Sequence, residues 1–403
     1  MTSLTRRSAR TAALILSIAS IVSVAAVAAA APVKTRSFRQ TFPAQQGEVR
    51  LGNLAGRVQL VRAPGNQVIV EAVIHAAGAS ESETQQLLDG MKWVRSTDGK
   101  GHEEIVLSYP VDDYRGFAYP RPGQDGNDLP EWLSWLESAG HTSTVFRGER
   151  VRIYGKPQTS VPVLYADLKI ALPAGSQMVV RNVVGAVRGG QLEGTLLVKT
   201  GSGDIEIVSH AGQLTLDTGS GDVTVGSATG ETRIDTGSGD VVVRKLIGNG
   251  LVDTGSGDVT VENVSAGKLS VDTGSGDVMV KNGTVSHVLA DTGSGSVQVV
   301  SVELEELDAG TGSGDVVVRS SLAQAKRVKA ETGSGDVTIY GGPEASFDIE
   351  SSQGSGELLV RYDDAKIRKE GKKVVGARRG DGQTVIRVET GSGDCVIMPK
   401  ERG

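Results

Sequence analysis

Hydrophobic and polar positions alternate with period two in short bursts along the second half of the chain. Leu214-Thr-Leu216, Val223-Thr-Val225, Val241-Val-Val243, Val259-Thr-Val261 and Leu269-Ser-Val271 show the pattern. β-Branched alternation of this length predicts strands, and glycine interrupts the runs too often for helices. Between bursts the segment Thr-Gly-Ser-Gly-Asp returns, beginning at Thr200, Thr218, Thr236, Thr254, Thr273, Thr311, Thr332 and Thr390. Thr292 opens a Thr-Gly-Ser-Gly-Ser variant and Gln353 a Gln-Gly-Ser-Gly-Glu variant, and Asn182-Val-Val-Gly-Ala186 is a worn copy upstream. Starts lie 18 to 21 residues apart, except for a final gap of 37. That gap has room for one degenerate turn or an inserted hairpin.

A unit this short cannot bury its own apolar face; stacking successive units in register can. Gly-Ser-Gly supplies the backbone angles of a sharp corner. The expectation is therefore an all-β fold: a parallel β-solenoid of 18–19 residues per turn with a small α+β N-terminal head. About ten or eleven turns rising ~4.8 Å each would reach roughly 50 Å. Right-handed winding is expected, although triangular left-handed coils share the period. Leu214, Leu216, Val223 and Val225 should point inward, and Asp217, Asp222 and Thr224 outward or into corners. Extra residues near Glu303–Leu307 should bulge as a loop. Cys395 follows Asp394 as Val223 follows Asp222, so it should fill an inward valine slot as a buried thiol.

The flanks read differently. Arg6, Arg7 and Arg10 precede an uncharged run, Thr11–Ala31, with an Ala-x-Ala site, so residues 1–30 are expected to be a cleaved signal peptide. Membrane attachment would follow only if it stayed uncleaved. Residues 31–180 hold all three Trp and read as an N-terminal α+β capping region. Strands are expected at Val49–Val61, Val68–Ile74, Glu104–Tyr109 and Tyr165–Leu172. A capping box at Ser80–Glu83 leads to helical spacing over Gln85–Val94. Residues 110–150 form an aromatic insertion with Tyr114, Phe117, Tyr119, Trp132 and Trp135, including a short helix at Pro130. Residues 181–398 are the β-solenoid repeat domain. In the basic stretch Arg361–Glu389, Lys372-Lys-Val-Val and Thr384-Val-Ile-Arg would pair as a capping hairpin.

Composition agrees. The 403 residues contain 54 glycines but only 4% aromatics, which excludes an aromatic-rich enzyme core along most of the chain. The glycines follow no Gly-X-Y triplet, so collagen is excluded. A net charge of −6, becoming −9 when three signal arginines leave, argues against nucleic acid. One cysteine cannot make an intramolecular disulfide, so an exported chain must be stable without one.

Leu51-Gly-Asn-Leu-Ala-Gly-Arg-Val58, Asp167-Leu-Lys-Ile-Ala-Leu-Pro-Ala-Gly175 and the Thr-Gly-Ser-Gly-Asp-Val array together resemble the bacterial "putative adhesin" family of β-strand-repeat proteins. The resemblance covers roughly residues 40–398. It implies a β-strand-repeat architecture, and no catalytic residues to carry over. The insertion at 110–150 departs from the family pattern.

Several motifs invite chemistry. Asp-Thr-Gly-Ser at Asp217, Asp235, Asp253, Asp272 and Asp291 has the nucleophile triplet of aspartic proteases. Those need two carboxylates about 3 Å apart sharing a proton; copies locked to an 18–19 period belong to the repeat. The corner aspartates Asp204, Asp222, Asp240, Asp258, Asp277, Asp315, Asp336 and Asp394 echo calcium-binding repeats, but at twice the nine-residue period. They are expected to accept hydrogen bonds from their own corner's amides, with weak divalent binding as the alternative. A threonine ladder of the ice-binding kind is disfavoured because alternation from Leu216 turns Thr218 inward or into the corner. His75, His102, His141, His210 and His287 show no metal spacing. Residues 182–338 lack any aromatic platform for sugar cleavage. The expected function is a secreted or envelope β-solenoid with a structural, adhesin-like binding role: no catalysis, no cofactor, and an envelope polymer or protein as partner. The alternatives are an envelope sensing or regulatory module that grips through the aromatic insertion, and a carbohydrate-active enzyme.

Overall fold

The computed structural model describes residues 32–43, 48–97, 102–120, 141–146, 148–156, 158 and 160–400. The signal expected at 1–30, and Trp132 and Trp135 with the short helix expected at Pro130, lie outside the described residues.

The protein is all-β: among the described residues the strands join one 31-stranded sheet, with one α-helix, Glu81–Gly90, beside it. The repeats pair in parallel, winding on winding. One inward row runs Leu51, Val180, Val198, Leu216, Ile234, Val252, Val271, Ala290, Ala309 and Ala330. A second runs Leu168, Val58, Val187, Ile205, Val223, Val241, Val259, Val278, Val297, Val316 and Val337. From Val180 to Ala309 a residue therefore lies beside the one 18 or 19 further on, one winding per unit. The nineteenth residue enters between Ser265 and Leu269, where the offset changes from 18 to 19. Alternation sets the faces: Leu214, Leu216, Val223 and Val225 are buried and Asp222 is exposed. One apolar cluster extends from Phe42 to Ile397.

The ladder begins earlier than residue 181. Strand Val49–Ala55 pairs in parallel with Ser176–Val184, and Val58–Arg62 with both Val187–Ser202 and Val163–Leu172. The region expected to cap the array thus contributes windings to it. Around these, Lys34–Pro43 and Gln67–Ala77 add antiparallel strands, and Glu103–Ser108 pairs with Val49–Ala55. The helix starts where the capping box placed it. Ser80 Oγ accepts the Glu83 amide at 3.1 Å, and Glu83 in return accepts the Ala79 amide. It ends at Gly90, and Lys92–Thr97 is a strand rather than helix.

Two expectations are corrected. Glu303–Leu307 do not bulge; they lie inside strand Val297–Thr311. The extra residues are at 320–326, where the offset grows from 19 at Val300–Arg319 to 21 at Glu306–Arg327. The last windings are also out of sequence order. Thr384–Thr390 pairs with Arg327–Thr332 on one side and Phe347–Gln353 on the other. Cys395–Pro399 likewise lies between Val337–Gly341 and Leu358–Val360. The C-terminal winding is thus inserted beneath the Gln-Gly-Ser-Gly-Glu winding, which becomes the last parallel winding and carries the antiparallel strand Lys373–Arg379 on its far side. The hairpin of this region joins Lys366–Glu370 to Lys373–Arg379, not to Thr384–Arg387. Thr384 is taken up by the ladder because its neighbours Ile386 and Val388 are inward residues, fully buried.

Candidate functional site

The repeated corner is a pair of clamps between windings. Each motif threonine is buried, and from Thr218 onward its hydroxyl donates to the second motif glycine's carbonyl one winding below, whereas the Thr200 hydroxyl, the first of the series, has no partner among the described residues. Thr236 reaches Gly221 at 3.2 Å, Thr292 reaches Gly276 at 2.9 Å and Thr390 reaches Gly335 at 3.0 Å. Each motif aspartate accepts the amide of its counterpart one winding above. Asp204 takes Asp222 N–H at 3.1 Å, and Asp222 takes Asp240 N–H at 2.9 Å. This corrects the expectation that the carboxylates serve their own corners: the offset brings the next amide within reach. The same bonds trace the altered order at the end, Asp336 to the Asp394 amide and Asp394 to the Glu357 amide. The glycines allow the close approach. At Gly239, φ is +149°, and a Cβ would stand 2.2 Å from the Gly221 carbonyl oxygen.

The other aspartate series faces outward. Asp217, Asp235, Asp253, Asp272 and Asp291 stand side by side in one row. Lys199 pairs with Asp217 at 2.5 Å and Arg233 approaches Asp235 at 3.7 Å. Burial, then the charges of Asp272, Asp308 and Glu331, raise the Asp291 carboxyl above its ordinary range. Beyond Gly310 the face turns mixed: Lys329 sits 2.7 Å from Glu331, and Arg327 2.9 Å from Glu306. Among the described residues, no group of three or more His, Cys, Asp or Glu is arranged to hold a metal ion.

A cleft of about 990 Å³ opens where the early strands meet the corner lane. Arg57, Asp167, Tyr119, Lys169, Arg188 and Asp204 line it. Asp167 accepts the Arg57 amide at 2.8 Å and its guanidinium at 3.0 Å, and His75 lies 3.6 Å away. Burial works to raise this carboxyl, but hydrogen bonds from His75 and Arg57 outweigh it and hold the pKa at about 2. His75 stacks on Tyr165 with centroids 4.5 Å apart, and Tyr119 from the insertion packs against Tyr165 at 5.0 Å. Behind the cleft the threonine row continues as Asn182 and Asn53, both buried. Asn53 Nδ2 donates to Asn182 Oδ1 at 3.0 Å, and the Tyr109 hydroxyl lies 2.9 Å from Asn53 Oδ1.

Cys395 is fully buried beside Val337 and Leu358, in the valine slot expected for it, and burial pushes its thiol up to about 12. Phe117 and Tyr119 of the insertion are buried. Sequence reading missed Arg57 and Asp167 as ladder members. The signal was present: Asn53-x-x-Gly56 repeats the spacing of Asn182-x-x-Gly185, and Asp167-Leu168 copies the Asp-Val of the motif.

Residues 233–398, less than half of the chain, match the family model described as Toastrack DUF4097. No curated protein matches. Among solved structures, one neighbour is a "putative cell adhesion protein" from Clostridium sporogenes, at 10% identity over 91% of this chain and 100% of that one, with TM-score 0.19. A second is a "putative lipid binding protein" from Parabacteroides distasonis, at 11% identity over 91% and 97%, with TM-score 0.30. A third is a "putative adhesin" from Bacteroides fragilis, at 10% identity over 92% and 98%, with TM-score 0.24. Scores this low leave the fold to be argued from the chain's own register.

Proposed function

We propose that this chain is an exported, right-handed parallel β-solenoid of the cell envelope with a structural, adhesin-like binding role and no catalysis. The observation that supports it best is the outward row Asp217, Asp235, Asp253, Asp272 and Asp291. Strand pairing fixes such groups ~4.8 Å apart. A pre-positioned row loses little conformational freedom on binding, and weak contacts to a polymer add along it. The partner is an envelope polymer or protein carrying cationic groups. The Toastrack match over 233–398 covers most of this row. A second reading, an envelope sensing or regulatory module, draws support from the cleft, where Tyr119 of the insertion forms part of the wall.

The test uses the mature chain and envelope extract. Replacing Asp235, Asp253 and Asp272 by Asn together should cut retention about fivefold or more. The wild-type interaction should weaken with salt, because exposed charges are screened over about 10 Å at 0.1 M. Undiminished retention of the triple variant ends the display reading.

A further inference from the structure

The corner lane has a gap at the cleft. Val58, Val187, Ile205 and Val223 share one row, so Arg57, Ala186, Asp204 and Asp222 precede them in one lane. From Asp222 to Ser296, every amide in this lane is held by the carboxylate below it. The Arg57 amide is held in the same way by Asp167. The residue beneath Ala186 is Arg57 and the one beneath Asp204 is Ala186, and neither side chain can accept. Among the described residues the Ala186 and Asp204 amides have no hydrogen-bond acceptor. The Asp204 carboxylate is turned up to the Asp222 amide and does not fill the gap.

The surroundings favour an anion. Arg57 and Arg188, 57% and 73% exposed, stand on the cleft wall with Lys169. Arg57 also binds Asp167, and Arg188 lies 3.3 Å from Glu206. Glu71, Asp167 and Asp204 bring negative charge to the same cleft. A bound carboxylate would thus meet like charges one winding away, a spacing the corner column already sustains over successive aspartates. The cleft floor is a sheet face: Lys169 is paired with Gln59 on one side and Glu71 on the other. No open edge is offered there for a peptide strand. Gln59, Glu71 and Lys169 instead present donors and acceptors suited to hydroxyl groups, and Tyr119 and Val73 add apolar contact.

We propose that the cleft binds the carboxylate of an acidic saccharide, which takes the place of the side chain missing at Ala186 and accepts the Asp204 amide beside Arg57 and Arg188. The site does not depend on the outward aspartate row. Position 296 supplies an internal contrast: Ser296 leaves the Asp315 amide equally open, with no arginine in the neighbouring lane positions Asp277 and Asp315.

The experiment is calorimetric titration of the mature chain with oligogalacturonate. Ala186→Asp should fill the gap with the chain's own carboxylate, keep or raise the melting temperature, and weaken binding about tenfold or more. Arg188→Gln, which leaves the lane's backbone untouched, should weaken it about threefold or more. Ser296→Asp and Asp253→Asn should bind as wild type; the latter separates this site from the display row. Fully methyl-esterified oligogalacturonate should not bind. Equal binding of the methyl ester, or wild-type affinity in both Ala186→Asp and Arg188→Gln, would overturn the carboxylate site. Binding of poly-glutamate but not of oligogalacturonate would overturn the saccharide assignment.

Discussion

Ending the chain after Gly382 removes the strands Thr384–Thr390 and Cys395–Pro399. In the structure these lie beneath the winding of Phe347–Gln353 and Leu358–Val360: Phe347–Glu350 keeps its antiparallel pairing with Gly376–Arg379, but Ser351–Gln353 and Leu358–Val360 lose their ladder partners. The lost residues include Ile386, Val388 and Ile397, each at most 1% exposed. At ~1.5–3 kcal/mol per buried aliphatic side chain, their removal costs roughly 5–9 kcal/mol. That rivals the whole stability of a typical domain, about 5–15 kcal/mol. Repeat arrays lose structure locally, however, because each winding depends on its neighbours. The expected outcome is confined: amides of Ser351–Val360 should exchange with solvent roughly a thousandfold or more faster, since every 1.4 kcal/mol is a factor of about ten. Amides of Val223–Thr311 should keep their protection. Hydrogen exchange read by mass spectrometry on peptides from both regions measures this. If the windings were stacked in chain order, Phe347–Gln353 would rest on Arg327–Thr332 and the truncation would leave it covered. Unchanged protection of Ser351–Val360 therefore refutes the inserted arrangement.

Two further outcomes are expected. Gly239→Ala places a Cβ against the Gly221 carbonyl at a positive φ, whereas Gly65→Ala meets nothing within 4 Å. The first should destabilise by at least ~3 kcal/mol and the second by well under ~1 kcal/mol in urea melts, and equal effects would contradict the close-packed corner. His210 is buried beside Ala228, its Nε2 3.1 Å from the Gly194 carbonyl and its Nδ1 without a partner, and burial lowers its pKa. Its neutral form is the folded one, so this contribution is complete above the unfolded value near pH 6.5 and is lost as pH falls towards the folded value. The melting temperature should drop between pH 7 and pH 5, and His210→Leu should flatten that drop; an identical slope in the variant assigns the effect elsewhere.

The repeat was legible in the sequence because its two signals are local. Alternation names the buried face, and a glycine pair at fixed spacing names the corner, so Cys395 could be placed inside by its position after Asp394 alone. The motif's chemistry was not legible in the same way. Whether Asp222 serves its own corner or the next depends on which amide the winding brings near, and that is a distance across eighteen residues. Asp167 and Arg57 were harder still, because the lane joins them across the chain between.

Composition and period by themselves determined an all-β chain whose units must stack in parallel, because no unit of eighteen residues has enough apolar surface to fold alone. They also determined which side chains face in, since alternation leaves a strand no choice once one face is dry. Only the tertiary structure decided the order of the last windings, the entry of Val49–Ala55 into the ladder, and the unfilled place at Ala186. The physical reason is the same in each case. Parallel pairing asks only for matching shape and register, so a segment from any distance along the chain can occupy a rung if its inward residues fit.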